Sequence, residues 1–245
     1  MRLITIPFSH YAEKARWALD HAKLPYQEEA HLPGFHLPAT KRAGGKTVPI
    51  LVTSEGTFTD STDILAFVDA KAPNDRKIWP SDPEARQKAQ ALEDDFDRGL
   101  GKASRVLAYH YLLPEPDKLV AAIGARLSRA ERWIFRAGLP LLSRLIRKQY
   151  RVNDENARRS LTAVHEAFDT AERALAEGGR YLVGDKITGA DIAFAALSAP
   201  VLCPPGHPAF DVALHQLPLS MQPEVKRLRA RPAGQHVLAL YAKDR

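Results

Sequence analysis

The chain reads as an α/β domain with a four-stranded mixed sheet, followed by an all-α domain. Three observations predict this. Strand and helix signals alternate through about the first 75 residues in the order βαβ then ββα, which is the thioredoxin-like arrangement. Strand signals nearly vanish after that, and a Pro-marked stretch from Pro73 to Pro83 separates the two regions. The expected organisation is a thioredoxin-like domain at 1–75, a linker at 76–83 and a helical domain at 84–245.

Leu3, Thr5 and Pro7 alternate with Ile4, Ile6 and Phe8, a strand of about five residues that Pro7 ends because it lacks an N–H. A helix follows from Ser9. Tyr11, Ala15, Ala18, Leu19 and Ala22 share one face, and Glu13, Lys14, Asp20 and Lys23 are expected on the solvated one. Leu24 to His31 reads as a second strand, parallel to the first because a helix joins them. Residues 34–45 read as a loop with at most a short helix. Thr47–Val52 and Thr57–Thr59 form a hairpin across a four-residue turn, Thr53 to Gly56. Asp60-Ser61 opens a helix that buries Ile64, Leu65, Phe67 and Val68. Helical periodicity then covers 84–112, 154–177, 188–199 and 221–242, the last broken near Pro232. Thr188 and Asp191 have capping-box spacing, and Ile187 and Ile192 the spacing of a hydrophobic staple.

Composition narrows the function. With 245 residues, 45% of them hydrophobic, the chain can build a substantial core. No run approaches the ~18 apolar residues of a membrane span, and no basic and apolar leader precedes the first strand, so a cytoplasmic protein is expected. Cys203 is the single cysteine, which excludes an internal disulfide, a Cys-X-X-Cys pair and a Cys-based metal site. The net charge of +6 is local: residues 126–151 hold eight basic residues and one acid, which leaves −1 for the rest of the chain. A general nucleic-acid surface is therefore not expected.

Ser9 stands where a strand delivers a helix N-terminus, a place with unpaired N–H groups and a positive dipole end that suits an anion. Taken alone, Ser9 and Asp60 are also ordinary N-caps. Tyr11 is either a second donor near that helix start or a core residue. The scattered histidines, and Glu93, Asp94, Asp95 and Asp97, read as solvated.

Strand-Ser-helix at Ser9, Thr-Val-Pro at 47–49, Asp-Ser at 60–61 and Leu-Val-Gly-Asp before the capping box together resemble the cytosolic glutathione transferase superfamily. The resemblance implies that the Val48–Pro49 bond is cis, that the Val48 backbone pairs with the cysteinyl part of glutathione, and that Asp60 and Ser61 hold its γ-glutamyl end. It implies that Ser9 is the catalytic residue, donating its hydroxyl to the glutathione sulfur. Keeping a thiol of pKa about 8.5 ionised at pH 7 takes a shift of about two units, or ~2.7 kcal/mol. A hydrogen bond to a charged acceptor contributes about 1.5–3 kcal/mol and a helix N-terminus roughly 0.3–1, so the hydroxyl is sufficient. With Ser at 9 and Ala at 12, no mixed disulfide forms there, which favours conjugation, isomerisation, dehalogenation or peroxide reduction over thiol reduction.

By the same resemblance glutathione is the co-substrate, no metal is needed, and the helical domain offers a pocket to a small hydrophobic electrophile in a homodimer. Tyr109, Tyr111 and Trp133 are candidate wall residues. A catalytically silent relative kept for binding or membrane association is the competing reading. The basic stretch departs from the family pattern as a surplus of about 30 residues around 113–150. Arg126, Arg129, Arg132 and Arg136 lie at helical spacing beside Trp133, Ile134 and Phe135, and Gly138-Leu139-Pro140 is expected to kink or end that helix. Its plain reading is a solvated helix face; the sharper one is a weak contact with anionic membrane or an acidic partner through residues 126–151.

Overall fold

A computed structural model describes residues 1–123, 128–177 and 179–245, so Arg126 lies outside the described residues. Four strands, β1 (Arg2–Thr5), β2 (Gln27–Ala30), β3 (Ile50–Thr53) and β4 (Gly56–Phe58), form one sheet in the order β2-β1-β3-β4. β1 and β2 are parallel, and β1–β3 and β3–β4 antiparallel. The strands are shorter than their sequence patterns. β2 starts only at Gln27, after Pro25, and β3 only at Ile50, after Pro49, because a residue without an N–H cannot extend a ladder. Thr53 pairs with Gly56, so the turn is the two residues Ser54 and Glu55.

Helix α1 (His10–His21) crosses from β1 to β2, α2 (Leu37–Arg42) is a short piece within the loop, and α3 (Ser61–Lys71) follows the hairpin. The stretch after α3 is tied down on both sides. Asp69 accepts the N–H groups of Ile78 and Trp79 at 2.8 and 3.0 Å, and the Ile78 carbonyl accepts the Gly189 N–H at 2.9 Å. Ile78 and Trp79 are accordingly buried.

The helical half comprises α4 (Pro83–Asp95), a π-helical turn (Phe96–Leu100), α5 (Gly101–Leu112), α6 (Pro116–Ile123), α7 (Arg129–Gln149), α8 (Asp154–Ala176), α9 (Gly189–Leu202), α10 (Gln222–Ala230) and α11 (Pro232–Lys243). Every side chain of α9 is buried, and α1, α4, α5 and α11 pack against it. Asp191 accepts the Thr188 N–H at 2.9 Å, the Thr188 hydroxyl at 2.7 Å and the Leu182 N–H at 2.9 Å, so its carboxylate fixes both the start of α9 and the loop before it. A Cβ on Gly189 would stand 2.2 Å from the Trp79 ring, which is why the residue after Thr188 has no side chain.

Of the kink or end expected at Gly138-Leu139-Pro140, the end does not occur. α7 continues through Pro140 to Gln149, because buried Phe135 and Leu139 and half-buried Leu142 and Ile146 hold one face on the core. A Ser128–Glu131 capping box starts this helix.

The largest departure from the sequence reading is α1. Glu13 and Lys14 are fully buried, as is Glu93, because α1 lies between the sheet domain and the helices rather than on an open surface. Lys14 pairs with Glu93 and, at 2.5 Å, with Asp97, and donates to the Thr62 hydroxyl at 3.2 Å. Arg16 donates to Glu28 at 2.7 Å, to Glu13 at 3.3 Å and to the carbonyls of Ile6 and Pro7 at 3.3 Å each. Arg245 closes this second network on Glu13 at 2.6 Å.

Burial holds the Glu93 carboxyl above its usual range even with Lys14 beside it. Lys14→Met should therefore cost about 3–5 kcal/mol near pH 7, since it strands a buried carboxylate. A carboxyl whose folded pKa is raised destabilises the fold only while ionised, so the deficit should shrink as pH falls from neutrality into the carboxylate range. Urea unfolding of both proteins at the two pH values measures this; a deficit independent of pH would contradict it.

Candidate functional site

Ser9 caps α1. The 2.9 Å bond from its N–H to the Ile6 carbonyl tightens the β1–α1 connection, and its Oγ accepts the Ala12 N–H at 3.2 Å. The hydroxyl proton has no acceptor among the described residues, and the side chain is half-buried. Arg16 grips the carbonyls of Ile6 and Pro7 from within the same helix, so the loop that carries Ser9 is held by its own first turns.

The Val48–Pro49 peptide bond is cis. Pro49 is buried, Val48 is half-buried, and neither the N–H nor the C=O of Val48 is used in a backbone hydrogen bond among the described residues. A backbone donor and acceptor thus stand open at the entrance to β3.

Asp60 caps α3, its Oδ1 accepting the Thr62 N–H at 2.8 Å, and is exposed. Ser61 is buried, and its hydroxyl donates to Asp97 Oδ1 at 3.3 Å. Asp97 was expected on a solvated face. The π-helical turn brings it inward instead, where its carboxylate meets Ser61 and Lys14 and its backbone carbonyl accepts the Tyr11 hydroxyl at 2.9 Å. Asp60 and Asp97 therefore make an anionic edge beside the first turn of α3, where the Ser61 and Asp63 N–H groups have no acceptor among the described residues.

Two residues after Ser9, Tyr11 already donates its hydroxyl hydrogen bond to that carbonyl. Burial, and then the Asp97 charge, raise its phenol pKa and keep it neutral. A Cβ at Gly101 would stand 2.4 Å from the Tyr11 oxygen, so the close approach of α1 to α5 needs glycine there. His10 is not solvated. Burial, helped by the Arg105 charge, lowers its pKa to about 3, and the neutral ring sits 2.8 Å from the Gly101 carbonyl, to which its Nε2–H donates. His207 is likewise buried, and His31 sits 2.8 Å from Glu29.

Phe8, immediately before Ser9, meets Phe135 of α7 edge-on with ring centroids 6.1 Å apart, so the surplus segment packs against the site. Tyr109 stacks on Tyr150 at 5.8 Å, and Tyr111 borders a cavity of about 230 Å³. Trp133 is 73% exposed on α7. Cys203 is buried in the left-handed conformation at the end of α9, and burial pushes its thiol up to about 12. Among the described residues no group of three His, Cys, Asp or Glu is placed to hold a metal ion, and no helix is long and apolar enough to cross a membrane.

Sequence reasoning missed Lys14, Arg16, Asp97 and Arg105. The i,i+3 spacing of Glu13 and Arg16 was a signal for one pair. Nothing local marked the π-helical turn that redirects Asp97.

Comparison with known proteins gives the same architecture. Residues 3–76 match the glutathione S-transferase N-terminal domain and residues 114–233 the C-terminal domain. No curated protein matches the chain by sequence. Similar solved structures include a bacterial zeta-class maleyl pyruvate isomerase at 21% identity, covering 100% of this chain and 99% of that one with a TM-score of 0.56. The β-etherase LigF of Sphingobium sp. strain SYK-6 is 19% identical, with coverage of 97% and 98% and a TM-score of 0.61. A theta-class enzyme from Xanthomonas axonopodis pv. citri, solved with glutathione bound, is 18% identical, with coverage of 97% and 96% and a TM-score of 0.53. Both domain matches, in order and over most of the chain, make this protein a member of the glutathione S-transferase superfamily.

Proposed function

We propose that the protein is a Ser-type glutathione transferase that ionises the thiol of glutathione at Ser9 and directs it at a small hydrophobic electrophile, working as a homodimer in the cytoplasm. The observation that carries this reading is the Ser9 hydroxyl, whose proton has no acceptor among the described residues while its oxygen is pinned by the Ala12 N–H. The free backbone of Val48 suits the peptide part of glutathione. The first turn of α3 suits the γ-glutamyl carboxylate, and Asp60 and Asp97 suit its ammonium. Similar structures that include an isomerase, a β-etherase and a theta-class transferase accord with several reactions on one such site.

Glutathione supplies the sulfur nucleophile. Ser9 donates its hydroxyl hydrogen bond to that sulfur, and the free N–H groups and dipole of the α1 start favour the negative form. Neutral Tyr11 and His10 add no competing charge. Helix packing of Phe135 on Phe8 limits water from the α7 side.

A second reading concerns the basic segment: we propose that α7 also makes a weak contact with anionic lipid surfaces. Supporting it are Trp133, Ile134, Leu141 and Leu145, all at least 46% exposed, with exposed Arg129, Arg132, Arg136, Arg144, Arg147 and Lys148 on the same helix. Charge favours an anionic bilayer over a second copy, which would bring the same cations.

Calorimetry should detect glutathione binding at millimolar concentration, weakened about tenfold by Ser61→Ala; no binding to the wild-type protein would end the first reading. Ser9→Ala should lower turnover of a chromogenic electrophile at least tenfold while binding persists. Unchanged turnover would remove Ser9 from the chemistry, and no turnover in either protein despite binding would favour a silent binder. Anionic vesicles at ~0.15 M salt should co-sediment the wild-type protein and retain less of Trp133→Ala; absence of co-sedimentation would remove the membrane contact.

A further inference from the structure

We infer that Arg105 anchors a binding site for a carboxylate carried by the electrophile; this rests on the glutathione site proposed above and names the chemical class it acts on. Where α5, the end of α7 and the start of α8 meet, they border a cavity of about 380 Å³, the size of a small ligand site. Lys102, Arg105, Arg151 and Arg159 line it together with Gln149 and Asn156, and no carboxylate does among the described residues. Arg159 is paired with Glu155; the other three cations have no ion pair among the described residues. A cavity edged by uncompensated positive charge and partly shielded from water favours an anion.

Lys102 and Arg151 are exposed and have water as a partner. Arg105 is different. It is half-buried, its Nε is enclosed without an acceptor, and it makes no hydrogen bond or ion pair among the described residues. Its guanidinium lies 4.2 Å from the Tyr150 ring centre and 5.9 Å from that of Tyr11. The Tyr150 face holds the group in place without using any of its donors. A guanidinium so held presents a planar fork, and a carboxylate matches that fork with two parallel bonds. The enclosed Nε is out of a ligand's reach, but the group is half-buried against the Tyr150 ring, so a charge-assisted pair made with its outer nitrogens is screened less by water than one to a solvated arginine.

Position connects this site to the chemistry. Tyr11 belongs to the first turn of α1, two residues beyond Ser9, and Arg105 stands against its ring. A carboxylate on Arg105 would thus orient the rest of the electrophile along the Tyr11 side of the Ser9 helix start.

The test compares kcat/KM, at fixed glutathione, for benzylideneacetone and for its para-carboxylate analogue. Wild-type protein should prefer the carboxylate about tenfold or more, as expected for one charge-assisted pair. Arg105→Gln should abolish the preference, and Arg105→Lys, which keeps the charge without the fork, should restore part of it. A preference unchanged in Arg105→Gln, or an equal loss on both electrophiles, would overturn the proposal, the latter assigning Arg105 to the thiolate. If neither compound turns over, the transferase reading fails separately, and direct calorimetric titration with the carboxylate analogue still decides. Binding at least tenfold weaker in Arg105→Gln supports the site, while equal binding, or displacement by inorganic phosphate as effective as by benzoate, overturns it. Thermal unfolding reports whether Arg105→Gln is folded; should it not be, Arg105→Lys carries the comparison, with a several-fold lower preference expected and an unchanged one contradicting the site.

Discussion

The buried charges of α1 are the constraint on which the rest depends. Lys14 and Arg16 leave opposite sides of one helix and are almost fully enclosed, one by Glu93 and Asp97 of the helical half, the other by Glu28, Glu13 and the loop before Ser9. Replacing such pairs with apolar residues can be neutral or stabilising, so their presence is weak evidence for stability as such. What they do here is geometric. Arg16 holds the carbonyls of Ile6 and Pro7, which sets where β1 hands over to α1, and Lys14 sets how far α4 stands from that helix start. Both ends of the Ser9 environment are thereby fixed by charges that tolerate little displacement.

Through Asp97 the same constraint reaches the second half of the site. One carboxylate meets Lys14 and the Ser61 hydroxyl, and the carbonyl of the same residue accepts the hydrogen bond of the Tyr11 hydroxyl. The π-helical turn between α4 and α5 makes both contacts available from one residue, and Gly101 after it admits the Tyr11 ring. Ser9 at α1 and Ser61 at α3 are therefore held relative to each other through the helical domain as well as through the sheet. This is a physical reason for the two halves to share one core that runs from Leu3 and Trp17 to Phe96 and Leu197.

Much of this was legible in the sequence because it is written in short-range signals. Periodicity located α8, α9 and the break at Pro232, and Ser9, Asp60 and Thr188 announced helix starts by their side chains. Strand ends were overextended, since apolar alternation continues past the point where Pro25 and Pro49 stop pairing. The failures share a cause. Glu13, Lys14, Glu93, Asp97 and His10 are polar residues whose burial depends on a partner more than 80 residues away or on another helix, and a local pattern assigns such residues to water. Arg105 gave no signal at all, because its interest lies in what it fails to contact.

The central claim is that this helix start lowers the pKa of a bound thiol, and the ultraviolet absorbance of the thiolate, followed against pH in the glutathione complex, tests it most directly. The account predicts half-ionisation about two units below the free value of about 8.5, with the midpoint returning most of the way in Ser9→Ala. A wild-type complex that titrates like free glutathione, or a Ser9→Ala complex that titrates like the wild type, would contradict it.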